Sequence, residues 1–278
     1  MFKSYIDFNQ IPLHLKLKNP AKIVRNKVKE MKDYFKKAGF KKGVIGLSGG
    51  LDSAVSAVLA VKSLGAKNLI VVRMPYLGVS DKKSLVDAKK VAEALKIPVK
   101  NILTIPINQP VDASWRLLKK FFDGDFRIRK GNLMARERMK ILFDLSQAFK
   151  AIVIGTEDRT ELELGYYTLW GDQASGIEPI QNLWKTQVYQ LANFFKEIPE
   201  EILAKAPSPG LWKGQSAEKE LGINYLETDI VLSAYQDLKM SKKAIVKKFG
   251  ISLSKINKIL NRAKIGEIKA NLPYILKY

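Results

Sequence analysis

The chain has 278 residues, 46% of them hydrophobic, which is enough to bury a full core as one large domain and too apolar for a disordered protein. Its 48 Lys and Arg against 27 Asp and Glu give a formal charge of +21, a balance that suits nucleic acid or phosphate-rich small anions alike and that lysine-rich proteomes also produce. The absence of cysteine excludes disulfides, thiolate metal sites and a cysteine nucleophile; with no signal-like start and no apolar run of bilayer-spanning length, a cytoplasmic protein is expected.

Residues 1–21 read as an N-terminal extension. "VIGL" (44–47) then has the pattern of a buried strand, and 51–64 that of a helix with Ala and Val on one face. "NLIVVRMP" (68–75) is the next strand, stopped by Pro75. A helix over 80–95 starts from Ser80 as its N-cap and keeps Leu85, Val86, Ala88, Val91, Ala92 and Leu95 at helical spacing. "NILTIPI" (101–107) is a third strand, followed by the helical "VDASWRLLKKFF". Residues 131–150 form a long helix with Met134, Ile141, Leu142, Leu145 and Phe149 inward, and "AIVIGT" (151–156) is a fourth strand. Such alternation predicts an α/β fold, an open parallel sheet with helices on both faces, as in Rossmann-like proteins. With no repeat, linker or composition break, residues 1–278 read as one domain that ends in basic helices over 241–278. Ligands in these sheets sit beyond the carboxyl ends of the strands, so the stretches after Leu47, Met74 and Ile154 should meet at one edge.

The stretch "SGGLDS" (48–53) falls between a strand and a helix. Gly49 and Gly50 free the backbone for conformations closed to other residues and leave no Cβ in a ligand's way. Successive N–H groups can then face one concavity, and the following helix adds its positive end. Ser48 and Ser53 offer hydroxyl donors to phosphate, whereas Asp52 beside phosphate needs an intervening cation, a role that suits Mg²⁺. The alternative is a plain glycine-rich turn with an acid near the helix start. The stretch has neither the lysine of a Walker loop nor the spaced glycines of a dinucleotide fold.

Ser-Gly-Gly-x-Asp-Ser in this setting resembles the PP-loop of the ATP pyrophosphatases, which cleave ATP between its α and β phosphates; that resemblance implies an adenine nucleotide alpha hydrolase-like fold. "GTEDRTELELGYYTLWGDQASGIEPIQNLWKTQVYQLA" (155–192) is similar to the core signature of the NAD synthetase family. "GNLMARERM" (131–139) and "APSPGLWKGQSAEKELGINYLETD" (206–229) resemble further segments of that family, in family order. The resemblance implies that nicotinic acid adenine dinucleotide, ATP and ammonia give NAD, AMP and pyrophosphate through an adenylated carboxylate.

It also implies roles for residues. ATP would be held by Gly46, Leu47, Ser48, Gly49, Gly50, Leu51, Asp52 and Ser53, together with Arg73, Thr156, Lys185 and Ser208. Mg²⁺ would take Asp52 and Glu161; Arg136 and Asp172 would meet the dinucleotide; and Asp52, Asp172 and Lys185 would carry the chemistry, Asp172 by holding ammonium and taking its proton. Leu169 and Gly176 stand where many members have a Lys and an Asp for the substrate, and a C-terminal His-Lys pair is replaced by "NRAKIGEIKANLP". Trp170, Trp184 and Trp212 read as packing residues, and His14 as non-catalytic. Without a cysteine or an amidase domain, ammonia rather than glutamine is the expected nitrogen source. The family resemblance further implies a homodimer. The rival readings are a PP-loop enzyme adenylating another carboxylate or a tRNA base, and a nucleic-acid module in the tail. That tail, over 241–278, holds ten basic residues against one acidic and breaks at Gly250 like a helix-turn-helix.

Overall fold

The computed structural model describes residues 4–276 other than 122, 125 and 213. In chain order the elements are α1 (Pro20–Ala38), β1 (Lys42–Gly46), α2 (Leu51–Leu64), β2 (Leu69–Arg73), α3 (Lys82–Ala94), β3 (Ile102–Thr104), α4 (Asn108–Leu118), α5 (Arg127–Phe149) and β4 (Ala151–Ile154). There follow α6 (Arg159–Leu164), α7 (Lys185–Phe194), α8 (Glu200–Leu203), α9 (Ala217–Leu221), α10 (Tyr225–Gln236), α11 (Lys242–Phe249) and α12 (Leu253–Ala270). The sheet is wholly parallel in the order β3-β2-β1-β4, with Val44 paired to Ile70 on one side and to Val153 on the other. A parallel bridge, Ile154 to Ile177, continues it past β4.

Period-two alternation sends each strand's side chains into two different cores. Ile45, Val71, Ile152 and Ile154 join α1, α2 and α7 on one face, whereas Val44, Ile70, Val72 and Val153 meet Ile141, Leu142 and Leu145 of α5 on the other. The expected α/β sheet covered on both faces is thus present. Because β2 and β4 flank β1 on opposite sides, the chain leaves the sheet in opposite directions after β1 and β4. That reversal opens a crevice at their carboxyl ends.

Several local expectations change. α2 is buried all round rather than on one face: Ala54, Val55, Ala57, Val58, Leu59 and Ala60 have no exposed surface, because the helix lies between the sheet, α1 and α7. The strands end earlier than their apolar runs, so Leu47, Pro75 and Ile107 are buried loop residues. α3 starts two residues late; Asp81, not Ser80, accepts from the Lys83 N–H, while Ser80 Oγ accepts from Tyr76 N. On the same helix Val86 is exposed and Asp87 is buried in its place, 3.4 Å from Lys205 Nζ. Trp184 is buried as expected, but Trp170 is 51% exposed and adopts a left-handed backbone (φ 57°).

The basic tail is packed. Ile245, Ile251, Ile256, Ile259 and Leu260 belong to the main core, and Gly250 (φ 69°) separates α11 from α12 where the break was expected. α12 crosses α6 so closely that a Cβ on Gly266 would lie 2.0 Å from the Glu163 carbonyl oxygen. No helix among the described residues is long and apolar enough to cross a membrane.

Candidate active site

The loop between β1 and α2 is a tight turn held by its own hydroxyls. Ser48 Oγ accepts from Gly50 N at 3.1 Å and lies 3.0 Å from Ser53 Oγ, which donates to the Gly50 carbonyl at 3.0 Å. Gly49 takes φ +78° and packs directly on the Ser84 carbonyl of α3, so no side chain fits there. α2 begins at Leu51 with no side-chain cap, which leaves its first-turn amides and positive end directed at the crevice. Gly46, Leu47 and Leu51 support this turn, and Leu47 N donates to the Val72 carbonyl at 2.9 Å.

Asp52, in that first turn, meets residues brought in from β4 and α7. Lys185, the first residue of α7, is only 1% exposed, with Nζ 3.0 Å from Asp52 Oδ1, 2.5 Å from Asp158 Oδ2 and 3.0 Å from Glu161 Oε1. The three carboxyl groups offer oxygens within 4.8 Å of one another. Burial works against the Lys185 ammonium, yet Asp158, Asp52 and Glu161 outweigh it and hold its pKa well above the ordinary value. Glu161 is itself lifted, by burial first and then by the neighbouring Asp158. Three hard oxygen donors fit Mg²⁺, and Asp158 Oδ2 has no hydrogen-bond partner of its own beyond the ion contact with Lys185.

Asp158 is the site residue that sequence reading missed, and the signal was there. Asp158 and Glu161 have the D-x-x-E spacing of a capping box. Asp158 Oδ1 accepts from Glu161 N at 2.9 Å, while Glu161 Oε2 accepts from Asp158 N at 3.4 Å. Each acid therefore commits one oxygen to starting α6 and turns the other toward Lys185. The buried Asp229 of α10 sets α7 in place: it accepts from Thr160 Oγ1 at 2.6 Å and from Thr186 N at 2.7 Å, and Thr160 Oγ1 accepts from Lys185 N at 2.8 Å. Burial pushes the Asp229 carboxyl up to about 7.

Thr156 is half-buried in the loop after β4, just ahead of a second group of acids. Glu157 is 5% exposed and is pushed up to about 9, by burial and then by Glu178; burial likewise lifts Glu178 to about 7. Asp172 lies near this group: its charge helps to raise Glu157 and Glu178, burial raises its own carboxyl, and its Oδ1 accepts from Thr168 N at 2.7 Å. Arg136 is exposed on α5 and donates to the Leu169 carbonyl at 3.3 Å, so it lies on the Asp172 side, while Arg138 donates to the Met74 carbonyl. Arg73, at the end of β2, points its guanidinium to Thr104 Oγ1 at 2.7 Å. Ser208 is not brought into the cluster: it is exposed, and its hydroxyl is taken up by the Gln215 carbonyl and Gly210 N in its own loop. Gly176 has room for nothing larger, since a Cβ would meet Ile152 Cγ2 at 2.6 Å.

A parallel sheet with a reversal after its central strand, a glycine turn open to anions and a carboxyl cluster beside it define a nucleotide-binding α/β protein of the PP-loop kind. The NAD synthase family model matches residues 23–273, so the chain belongs to that family. It is 41% identical over 264 residues to an NH(3)-dependent NAD(+) synthetase of Fusobacterium nucleatum subsp. nucleatum, covering 94% of this chain and 98% of the relative. Among solved structures it is similar to NMN synthetase from Francisella tularensis (TM-score 0.80, 32% identity, covering 93% of this chain and 99% of the other). It is also similar to the NH3-dependent NAD synthetase from Campylobacter jejuni subsp. jejuni (TM-score 0.75, 28% identity, covering 93% and 99%).

Proposed function

We propose that this chain amidates nicotinic acid adenine dinucleotide with free ammonia, consuming ATP and releasing NAD, AMP and pyrophosphate. The observation that carries this reading is the convergence of Asp52, Glu161 and Lys185 beside the uncapped start of α2 that follows the Ser48–Ser53 turn. A carboxylate resists ammonia because oxide is a poor leaving group. Attack of a substrate carboxylate oxygen on the α-phosphorus of ATP forms an acyl adenylate and expels pyrophosphate, whose charge the loop amides, Ser48 and Ser53 would meet. Ammonia then adds to the acyl carbon and AMP leaves. Asp172 takes the proton that nitrogen sheds in this reading. Mg²⁺, held by Asp52 and Glu161, would supply Lewis-acid polarisation of the phosphates. Thr156 and Lys185 bind nucleotide in this reading; Arg136 binds the dinucleotide; and Arg73 and Ser208 need movement of their side chains or loop to reach it.

The reading treats the chain as one catalytic domain acting as a homodimer in the cytoplasm; the family resemblance supports each of these points. Packing of α11 and α12 into the core favours a structural and substrate-side role for the tail over nucleic-acid binding. Incubating the protein with ATP, Mg²⁺, ammonium and the acid dinucleotide should yield NAD and AMP in equal amounts, and glutamine should not replace ammonium. AMP without NAD would sink the assignment.

A second reading has an observation of its own. The Francisella structure, similar at TM-score 0.80, is that of an NMN synthetase, and Leu169 and the crowded Gly176 depart from the Lys and Asp that the family resemblance would put at the dinucleotide. In that reading the acid is nicotinic acid mononucleotide. Comparing kcat/KM for the two acids decides between them.

A further inference from the structure

We propose that Asp52, Asp158 and Glu161 form one cation seat with two alternative occupants: the Lys185 ammonium when no nucleotide is bound, and a divalent ion when nucleotide arrives. The proposal rests on the ATP-using reading above only for the identity of the anion that receives Lys185. Three observations carry it. First, Lys185 Nζ touches all three acids at 2.5–3.0 Å and is 1% exposed, so the ammonium fills the space their oxygens share. Second, Asp158 is fully buried and its Oδ2 has no hydrogen-bond donor besides that ion contact, an arrangement that costs several kcal/mol unless a cation faces it. Third, the capping box fixes Asp158 and Glu161 through their other oxygens, so the seat stays formed whichever cation fills it.

One ammonium against three carboxyl groups leaves the seat under-neutralised. A divalent ion matches it better, but it must first displace a cation that is already bound. Displacement is unfavourable while Lys185 has nowhere to go, and becomes favourable when a polyphosphate in the Ser48–Ser53 turn accepts the ammonium. Metal and nucleotide should therefore bind with strong mutual enhancement, a coupling built from the exchange of one side chain. Asp158 is then a member of the seat as well as a helix cap.

The test uses Mn²⁺ as the probe, with no acid substrate or ammonia, so that it stands apart from the assay of NAD formation. Free Mn²⁺ is followed by electron paramagnetic resonance in wild type, Lys185→Met and the double variant Asp158→Asn with Lys185→Met. Asn keeps the cap but not the charge. Wild type should bind Mn²⁺ weakly without nucleotide, Lys185→Met at least about 10-fold more tightly, and the double variant should lose most of that gain. After allowance for Mn²⁺ chelated by free nucleotide, a non-hydrolysable ATP analogue should raise the wild-type affinity by a larger factor than that of Lys185→Met, since the direct phosphate contribution is common to both and only wild type gains from moving Lys185. Equal or weaker binding by Lys185→Met overturns the proposal, as does an unchanged affinity on adding Asp158→Asn. If Lys185→Met is unfolded in metal-free buffer, Mn²⁺ should restore a cooperative thermal transition at concentrations that leave the wild-type Tm unmoved, and failure to do so is equally decisive. Mn²⁺ exchange with no NAD formation would leave the seat standing and remove only the substrate assignment.

Discussion

Gly49→Ala tests the turn on which nucleotide binding depends, and Gly39→Ala provides its control. Both glycines have left-handed backbones, φ +78° and +76°. An alanine forced into that region costs about 1–2 kcal/mol. At Gly39, the residue after α1, an added Cβ meets nothing within 4 Å, so strain is the whole effect. At Gly49 the Cβ falls 2.1 Å from the Ser84 carbonyl oxygen, a backbone atom in the first turn of α3. Carbon and oxygen normally approach to about 3.3 Å, so the two segments must part by about 1 Å. Overpacking of this kind adds about 1–3 kcal/mol, giving about 2–5 kcal/mol for Gly49→Ala against about 1–2 for Gly39→Ala. Urea unfolding of both variants reads the difference, and titration with an ATP analogue should show at least about a 10-fold loss for Gly49→Ala alone, because the shifted turn carries the amides. Equal destabilisation of the two variants, or unaltered nucleotide affinity in Gly49→Ala, would show that the turn does not rest on α3 as described.

Gly266→Ala places a Cβ 2.0 Å from the Glu163 carbonyl and should pry α12 from α6; we expect a loss of about 1–3 kcal/mol in urea unfolding and earlier amide exchange in α12 than in α2. Glu178, with its carboxyl near 7 in the folded chain against the ordinary 4.5, keeps its proton longer when folded, so its contribution to stability should fall as pH rises from 4.5 to 7 and level off above, where the loss from Glu157, near 9, continues. Glu178→Gln should flatten that fall, by up to about 3 kcal/mol between the two ends; parallel pH profiles for wild type and variant would contradict the assignment. Asp52→Asn removes a charge from the cation seat at the half-buried start of α2 and should cut AMP production by more than about 100-fold, as measured by chromatography, with the fold intact by circular dichroism.

The parts of this molecule legible in its sequence are those written by local rules. α2 spans 51–64 and the tail breaks at Gly250, both as expected, because a glycine turn or a left-handed residue marks the boundary. The strands were overextended because an apolar run has no internal sign of where pairing stops: Leu47 and Ile107 are as buried as strand residues, but under loops. Asp87 and Asp229 look like surface acids in sequence and are buried, since their partners, Lys205, Thr160 and Thr186, lie far along the chain. Asp158 belongs to both groups. Its spacing to Glu161 announces a helix start, but its second oxygen acquires meaning only when α2 and α7 deliver Asp52 and Lys185 to the same point.

That convergence also resolves an oddity in the position of Lys185. A cation in the first turn of a ten-residue helix faces the positive end of the helix dipole, a placement that disfavours it by about 0.3–1 kcal/mol even at the surface. Burial to 1% exposure makes the position worse. The fold offsets this with three carboxyl groups from two other segments, the start of α2 and the start of α6. The uncapped start of α2, which adds to that repulsion, attracts phosphate, whereas the first amides of α7 are already taken by Thr160 Oγ1 and Asp229. A polyphosphate entering the crevice thus relieves the unfavourable position of Lys185 while it strips the carboxyl groups of their cation, so anion binding on one side of the loop and metal demand on the other arise from a single arrangement of backbone.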